Sequence, residues 1–245
     1  MADGLSLTVL GCDGTYAGPG GACTGYLLSH GDTRVWVDCG PGTLANVQLH
    51  VDLADISAIV ISHVHPDHWV DLPVVHNALR YYVGRRGLPL YTTLETLRRF
   101  EAMKGAPISE TFIAHPITNG SKFDIRGMSF TTSATDHPVE TLAMRIEAGG
   151  RSLTYSADTG PGWSLAALGP VDVALCEATM RADQTEVSVH LTTTQAGRSA
   201  READARRLII THLPPGADKA AHQAEAAEAY GADVEVATMN SRYEI

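Results

Sequence analysis

Short apolar runs separated by polar, glycine-rich breaks set the pattern of this chain. Twelve of them carry the β-branched and aromatic residues that predict strands, at 5–10, 24–29, 34–38, 57–61, 111–114, 122–126, 128–133, 142–147, 152–156, 171–176, 207–211 and 234–238. Longer stretches with helical spacing of apolar positions predict helices over about 71–86, 93–104, 192–204 and 218–230. The second and third of these open on capping boxes, Thr92 with Glu95 and Thr192 with Gln195. Hairpins come first in each half and helices are interleaved later. That order predicts an α/β or α+β protein whose sheets pack on each other with helices outside, rather than a doubly wound parallel sheet. The Ala/Glu-rich stretch from Asp218 to Ala232 reads as an ordinary surface helix returning to a strand, not as a charged tail.

Composition narrows the function. The 245 residues are 44% hydrophobic and 19% charged, enough to bury a large core, and are expected to form a single domain over 1–245. A net charge of −10 disfavours nonspecific attraction to nucleic acid, which would have to be held by a local patch or by bound metal; a small anionic substrate fits better. Cys12, Cys23, Cys39 and Cys176 form no CxxC pair, so neither a thiolate zinc site nor a redox motif is expected. Residues 1–10 lack the features of a secretory signal and no apolar run is long enough to span a bilayer, which predicts a cytoplasmic protein with no membrane partner.

The chemistry is concentrated at 63–68, which read His63-Val64-His65-Pro66-Asp67-His68. This HxHxDH cluster follows Ala58-Ile59-Val60-Ile61-Ser62, an apolar run that reads as a buried strand. Four adjacent polar groups at a buried strand's end need partners, and a bound metal supplies them. His63 and His65, two residues apart in extended backbone, point to one side, while Asp67 and His68 follow Pro66 in a turn and can point elsewhere. One motif can therefore serve two metals. Further lone polar residues close other strands: His137 after Phe130 to Asp136, Asp158 after Leu153 to Ala157, and His212 after Leu208 to Thr211. Singly each would read as a satisfied core or cap residue; beside HxHxDH they read as further ligands.

That order of HxHxDH, a lone His, an Asp within Ser-Ala-Asp158-Thr159-Gly160 and a His after an apolar strand resembles the metallo-β-lactamase superfamily. The likeness runs from the glycine-rich Gly11-Cys12-Asp13-Gly14-Thr15 and the strand ending Val37-Asp38-Cys39-Gly40 to Thr211-His212. The resemblance implies a four-layer αββα sandwich with two divalent ions at one edge. It places His63, His65 and His137 on one ion, Asp67, His68 and His212 on the other, and Asp158 as the bridge. Such ions, held mainly by neutral imidazoles, leave a net positive site hospitable to a phosphate or carbonyl oxygen, and they polarise a water for attack. The donor set suits zinc, and also manganese or iron.

Leu175-Cys176-Glu177-Ala178-Thr179 and Val189-His190-Leu191-Thr192 resemble the paired signatures of ribonuclease Z and its phosphodiesterase relatives. By that resemblance His190 is a catalytic residue facing the scissile phosphate, oriented by Glu177, with Asp67 as the third catalytic candidate. No basic arm for gripping transfer RNA is visible, so the chain looks more like the small cyclic-nucleotide-degrading phosphodiesterases of this group. The alternatives are a ribonuclease Z-like endonuclease, a zinc lactone or amide hydrolase using the same ligands, and a metal-binding module without catalysis. Similar proteins commonly form homodimers. Trp69 reads equally as a stacking platform or as core, Asp71 as a hydrogen-bond partner of a ligating histidine, and His76 as packing or surface. Arg80, Tyr81, Tyr82, Arg85 and Arg86 read as a solvated face, and Gly14, Gly18, Gly20 and Gly21 as a loop whose amides approach a phosphate or simply make turns.

Overall fold

The computed structural model describes residues 4–104, 108–186 and 188–245. Its first half runs β1 (Ser6–Gly11), β2 (Gly25–His30), β3 (Thr33–Val37), α1 (Thr43–Val47), β4 (Ala58–Val60), α2 (Pro66–Trp69), α3 (Leu72–Ala78), β5 (Leu88–Thr92), α4 (Leu94–Lys104) and β6 (Phe112–Pro116). The second half runs β7 (Lys122–Ile125), β8 (Met128–Ala134), β9 (Leu142–Ala148), β10 (Arg151–Tyr155), β11 (Val173–Glu177), α5 (Thr193–Glu202), β12 (Arg207–Thr211), α6 (Lys219–Tyr230), β13 (Val234–Val236) and β14 (Arg242–Glu244). They build two seven-stranded sheets, ordered β14-β1-β2-β3-β4-β5-β6 and β13-β12-β11-β10-β9-β8-β7. In each sheet the early strands pair antiparallel and later ones parallel, with β3 to β6 and β10 to β13 as the parallel runs, and β14 joins β1 antiparallel.

Alternation along the strands divides the core into three layers. Val35 and Val37 of β3, Ala58 and Val60 of β4, Leu153 and Tyr155 of β10, and Ile209 of β12 face the space between the sheets. The intervening Trp36, Ile59 and Ile61 turn outward onto Leu72, Val75, Leu97 and Phe100 of α3 and α4. Leu208 and Ile210 turn outward onto Ala196, Ala200, Ala226 and Tyr230 of α5 and α6. Strands covered on both faces carry near-continuous apolar sequence, whereas β8 and β9 bury Met128, Phe130, Met144 and Ile146 and expose Ser129 and Glu147 on the other side. Full burial of a side chain such as Phe130 contributes roughly 1.5–3 kcal/mol. The helices α5 and α6 cross so closely that a Cβ at Gly197 would lie 2.4 Å from the Ala226 carbonyl oxygen.

All twelve expected strands are present, with ends shifted by a residue or two. Two strands had no signal. Pro89 hid β5; the proline is tolerated because the β4 ladder pairs only Leu90 and Tyr91 and leaves it outside. The short, polar β14 is an edge strand on β1. The helix expected over 71–86 forms as α3 continued by a π-helical turn, Leu79–Val83, and stops at Gly84 in the left-handed conformation (φ 71°). Thr192 and Gln195 close the expected capping box. The box expected at Thr92 is corrected: the cap is one residue later, where Thr93 Oγ1 accepts from the Thr96 amide at 3.3 Å.

Candidate metal centre

The connection after β4 changes conformation inside the HxHxDH motif. His65 is extended (φ −68°, ψ 139°) and Pro66 opens α2, its missing N–H no loss at a first helical position. His63 and His65 therefore leave the strand end toward one cluster, and Asp67 and His68, a helical turn on, toward another. Four groups, His63, His65, His137 and Asp158, place one ligand atom each within 4.8 Å of one another, and so do Asp67, His68, Asp158 and His212. Asp158 is shared, and its two oxygens divide. Oδ2 faces His63 Nε2 at 3.7 Å and His137 Nε2 at 4.0 Å. Oδ1 faces His68 Nε2 at 3.2 Å and His212 Nε2 at 3.4 Å. The structure thus brings all seven sequence-predicted ligands into two adjoining clusters with one carboxylate between them.

The residues fit a pair of cations. His63 Nε2 and Asp158 Oδ1 are buried without a hydrogen-bond partner, an arrangement that leaves their lone pairs free for a metal. His137 Nδ1 donates to the Val189 carbonyl at 3.0 Å, which turns its Nε2 lone pair inward. There it meets His65 Nδ1 at 3.0 Å, two ring nitrogens in a contact that a shared electrophile stabilises. The imidazole and carboxylate donors suit zinc, manganese or iron alike.

Electrostatics keep His63, His65, His137 and the two carboxylates in the form a metal needs, whereas burial of His68 is outweighed by Asp158 and Asp38, which raise its imidazole, so an ion there would displace a proton. Burial, reinforced by His68, holds the His63 imidazole well below its ordinary value, and burial also lowers His65 and His137. These rings stay neutral near pH 7. Burial alone would raise the Asp158 carboxyl, but His212 and His68 outweigh it and hold the group well below the usual carboxylate range. Asp67 is lowered in the same way, its burial outweighed by His212 and His68, and Oδ2 also accepts from the Thr15 amide at 2.9 Å. That amide belongs to the glycine-rich loop, where a Cβ at Gly14 would sit 2.6 Å from the His212 carbonyl oxygen. The loop is pressed against the second cluster.

Beside the second cluster, His190 Nδ1 donates to Glu177 Oε1 at 3.0 Å, and its ring lies 5.3 Å from His212 and 5.6 Å from His137. Although Glu177, His190 and His212 gather as a third group, both Glu177 oxygens are engaged. Oε1 also accepts from the Thr159 amide at 2.7 Å, and Oε2 accepts from Thr179 Oγ1 at 2.8 Å and the Leu191 amide at 3.2 Å. The carboxylate is an orienting group rather than a third metal cage. Burial disfavours the His190 cation, but Glu177, with Asp158 and Asp67, outweighs it and raises the imidazole to about 9.

Sequence reasoning missed Asp38. Fully buried at the end of β3, it accepts from the Ser62 amide at 2.7 Å, Ser62 Oγ at 2.8 Å, His68 Nδ1 at 2.8 Å and Tyr155 Oη at 2.8 Å. The signal was available: a carboxylate closing an apolar strand, as at Asp158. The role expected of Asp71 is corrected, since it accepts from the Leu44 amide at 2.8 Å and touches no ligating histidine. Trp69 is core, packed edge-on to Phe100, and His76 is buried against Phe100 and Phe112. Tyr81 and Tyr82 are exposed, Arg80 pairs with Glu110, and Arg85 donates to the carbonyls of Leu53 and Ala54. Asp38, Ala157, His212 and Thr15 all hold left-handed backbone, at φ 56°, 50°, 59° and 66°. Strain of roughly 1 kcal/mol or more at each is concentrated around the clusters, where the hydrogen bonds above hold it in place.

A two-sheet αββα sandwich carrying paired His/Asp clusters at one edge is the metallo-β-lactamase fold. The beta-lactamase superfamily domain model matches residues 33–213, and the chain belongs to that superfamily of metal-dependent hydrolases. Among its relatives, YhfI of Bacillus subtilis (strain 168), a probable metallo-hydrolase, is 31% identical over 86% of this chain and 87% of YhfI. The crystal structure of YhfI covers 99% of this chain and 100% of its own with a TM-score of 0.90 and 28% identity. Ribonuclease Z of Mycobacterium sp. (strain KMS) is 28% identical over 98% of this chain and 96% of its own. A diphosphatase of the PhnP family shares the fold at a TM-score of 0.78 and 20% identity, covering 98% of each chain. No helix among the described residues is long and apolar enough to cross a membrane.

Proposed function

We propose that this protein is a dinuclear metal-dependent phosphodiesterase acting on a small phosphodiester such as a cyclic nucleotide. The observation that carries the reading is the Glu177–His190 pair, poised beside both clusters, with no hydrogen-bond partner of His190 Nε2 among the described residues. His63, His65, His137 and Asp158 would hold one ion, and Asp67, His68, His212 and Asp158 the other. Bound there, two divalent cations supply Lewis acidity toward a phosphoryl oxygen and acidify a water to near neutrality.

The chain's own residues do the rest. His190, protonated and held through Nδ1 by Glu177, presents its Nε2–H to the departing alkoxide oxygen and donates the proton as that oxygen gains charge. An ester or amide substrate makes different demands on a group so placed, because a phosphodiester's leaving oxygen lies in line with the attacking water across phosphorus. The Thr15 amide holds Asp67 through its Oδ2, keeping that carboxylate turned into the cleft. The name of the ribonuclease Z relative supports phosphodiester chemistry, and the net charge of −10 favours a small substrate over a long nucleic acid.

The test is hydrolysis of bis(p-nitrophenyl) phosphate, cyclic AMP, precursor transfer RNA and a lactone panel by wild type and His190→Ala, with metal analysis on the same samples. His190→Ala is expected to retain its metal and lose on the order of a hundredfold or more in kcat on the phosphodiester, with KM little changed. Undiminished turnover in that variant removes the acid role, and equal turnover of lactone and phosphodiester by wild type favours the lactonase reading instead.

A further inference from the structure

Two hydroxyl side chains next to the clusters have no place in the mechanism above, yet each sits between a buried carboxylate and a ligand histidine. Ser62 Oγ donates to Asp38 Oδ2 at 2.8 Å and lies 3.0 Å from His63 Nδ1. Thr179 Oγ1 donates to Glu177 Oε2 at 2.8 Å, the closer and charged acceptor beside the His212 carbonyl oxygen at 3.0 Å, and lies 2.9 Å from His212 Nδ1. A hydroxyl has one proton to donate, and a carboxylate is its strongest acceptor. Once that proton is committed, the neighbouring ring nitrogen must itself be the donor. His63 and His212 are thereby fixed with Nδ1 protonated and the Nε2 lone pair facing the cluster.

We infer that Ser62 and Thr179 are positioning residues, hydroxyl relays that set the metal-binding tautomer of His63 and His212 from the buried carboxylates Asp38 and Glu177. The inference rests on the two-ion reading of the clusters. The geometry gives each carboxylate two histidines. Asp38 holds His68 directly and His63 through Ser62, one ligand in each cluster. Glu177 holds His190 directly and His212 through Thr179. Both relays are closed to solvent, with Ser62 and Thr179 buried, so water does not replace a deleted hydroxyl. Relay loss lets the ring turn or change tautomer, and outer partners of this kind are worth about 10- to 100-fold in metal affinity.

The experiment is competition for zinc ion between the purified protein and a chromogenic chelator, on wild type, Ser62→Ala, Thr179→Val, Thr179→Ser and the Ser62→Ala/Thr179→Val double variant. Thermal unfolding in excess chelator confirms that each is folded. Wild type is expected to take up two ions. Each of Ser62→Ala and Thr179→Val weakens one ion by about 10- to 100-fold and leaves the other at its wild-type affinity. Thr179→Ser, which keeps the hydroxyl, restores wild-type binding, and the double variant weakens both ions because the relays serve different clusters. Unchanged affinities in both single variants, a Thr179→Ser variant as weak as Thr179→Val, or a double variant with only one weakened ion overturns the relays. A wild type that binds fewer than two ions overturns the two-ion reading itself and the relays with it.

Discussion

The two halves of the molecule share a plan and use it differently. Each lays down antiparallel strands, then parallel ones with helices outside, and each ends a strand in a buried carboxylate, Asp38 after β3 and Glu177 at the end of β11. The first half delivers four ligands from one connection, His63 to His68, because a strand end followed by proline and a helical turn changes direction within six residues. The second half delivers one residue per strand end, at His137, Asp158 and His212. The carboxylates differ as well. Asp38 holds His68, Ser62 and the core hydroxyl of Tyr155, whereas Glu177 divides itself between a ligand's support and His190. On the proposed reading, the first half is a scaffold for cations and the second joins that scaffold to the group that would handle a proton.

The largest effect is expected where the halves meet. Asp158→Ala removes the carboxylate whose two oxygens face the two clusters, and metal analysis should find at least one ion lost per chain, with activity falling by more than the roughly 10- to 100-fold of an outer partner. Two ions per chain in that variant would break the bridging assignment. Next comes the contrast between the carboxylates. Asp38→Asn places an amide donor among four donors, so it should weaken both ions by about 10- to 100-fold and cost about 1–3 kcal/mol in thermal unfolding. Glu177→Gln should instead lower turnover while the ion of the first cluster keeps its affinity. If the two variants behave alike in chelator competition, the division of labour is wrong.

The smallest effect is a titration. His190 is raised from 6.5 to about 9 in the metal-free protein, its burial outweighed by Glu177. A raised imidazole contributes stability that is fully present below its unfolded value near 6.5 and is lost as pH rises through about 9. NMR of the metal-free protein should therefore show the His190 ring protonated at pH 7 and titrating near 9, and Glu177→Gln should bring the midpoint down. A wild-type midpoint at or below 6.5 contradicts the coupling. Bound cations act in the opposite direction, so loading the metal should lower the same midpoint.

Much of this was legible in order along the chain. Apolar alternation predicted twelve strands, the hairpin-then-helix sequence predicted stacked sheets, and HxHxDH announced its own chemistry because its ligands are neighbours in sequence. Strand-end position was enough to nominate His137, Asp158 and His212. Local pattern failed where a local signal pointed the wrong way. Pro89 reads as a strand breaker but stands outside the β4 ladder, and Thr92 and Thr93 are equivalent caps until the chain's path selects one. Asp71 follows the ligands closely in sequence, yet α3 carries it to the Leu44 amide instead.

The sequence by itself determined which residue types are available for metal and proton chemistry, and the strand ends they occupy. Only the tertiary structure decided who orients whom. Asp38 lies 30 residues from His68 and 117 from Tyr155, and Glu177 lies 13 from His190. A hydrogen bond depends on distances of a few ångströms and on direction, and those are set by how two sheets stack, which periodicity along one chain does not encode.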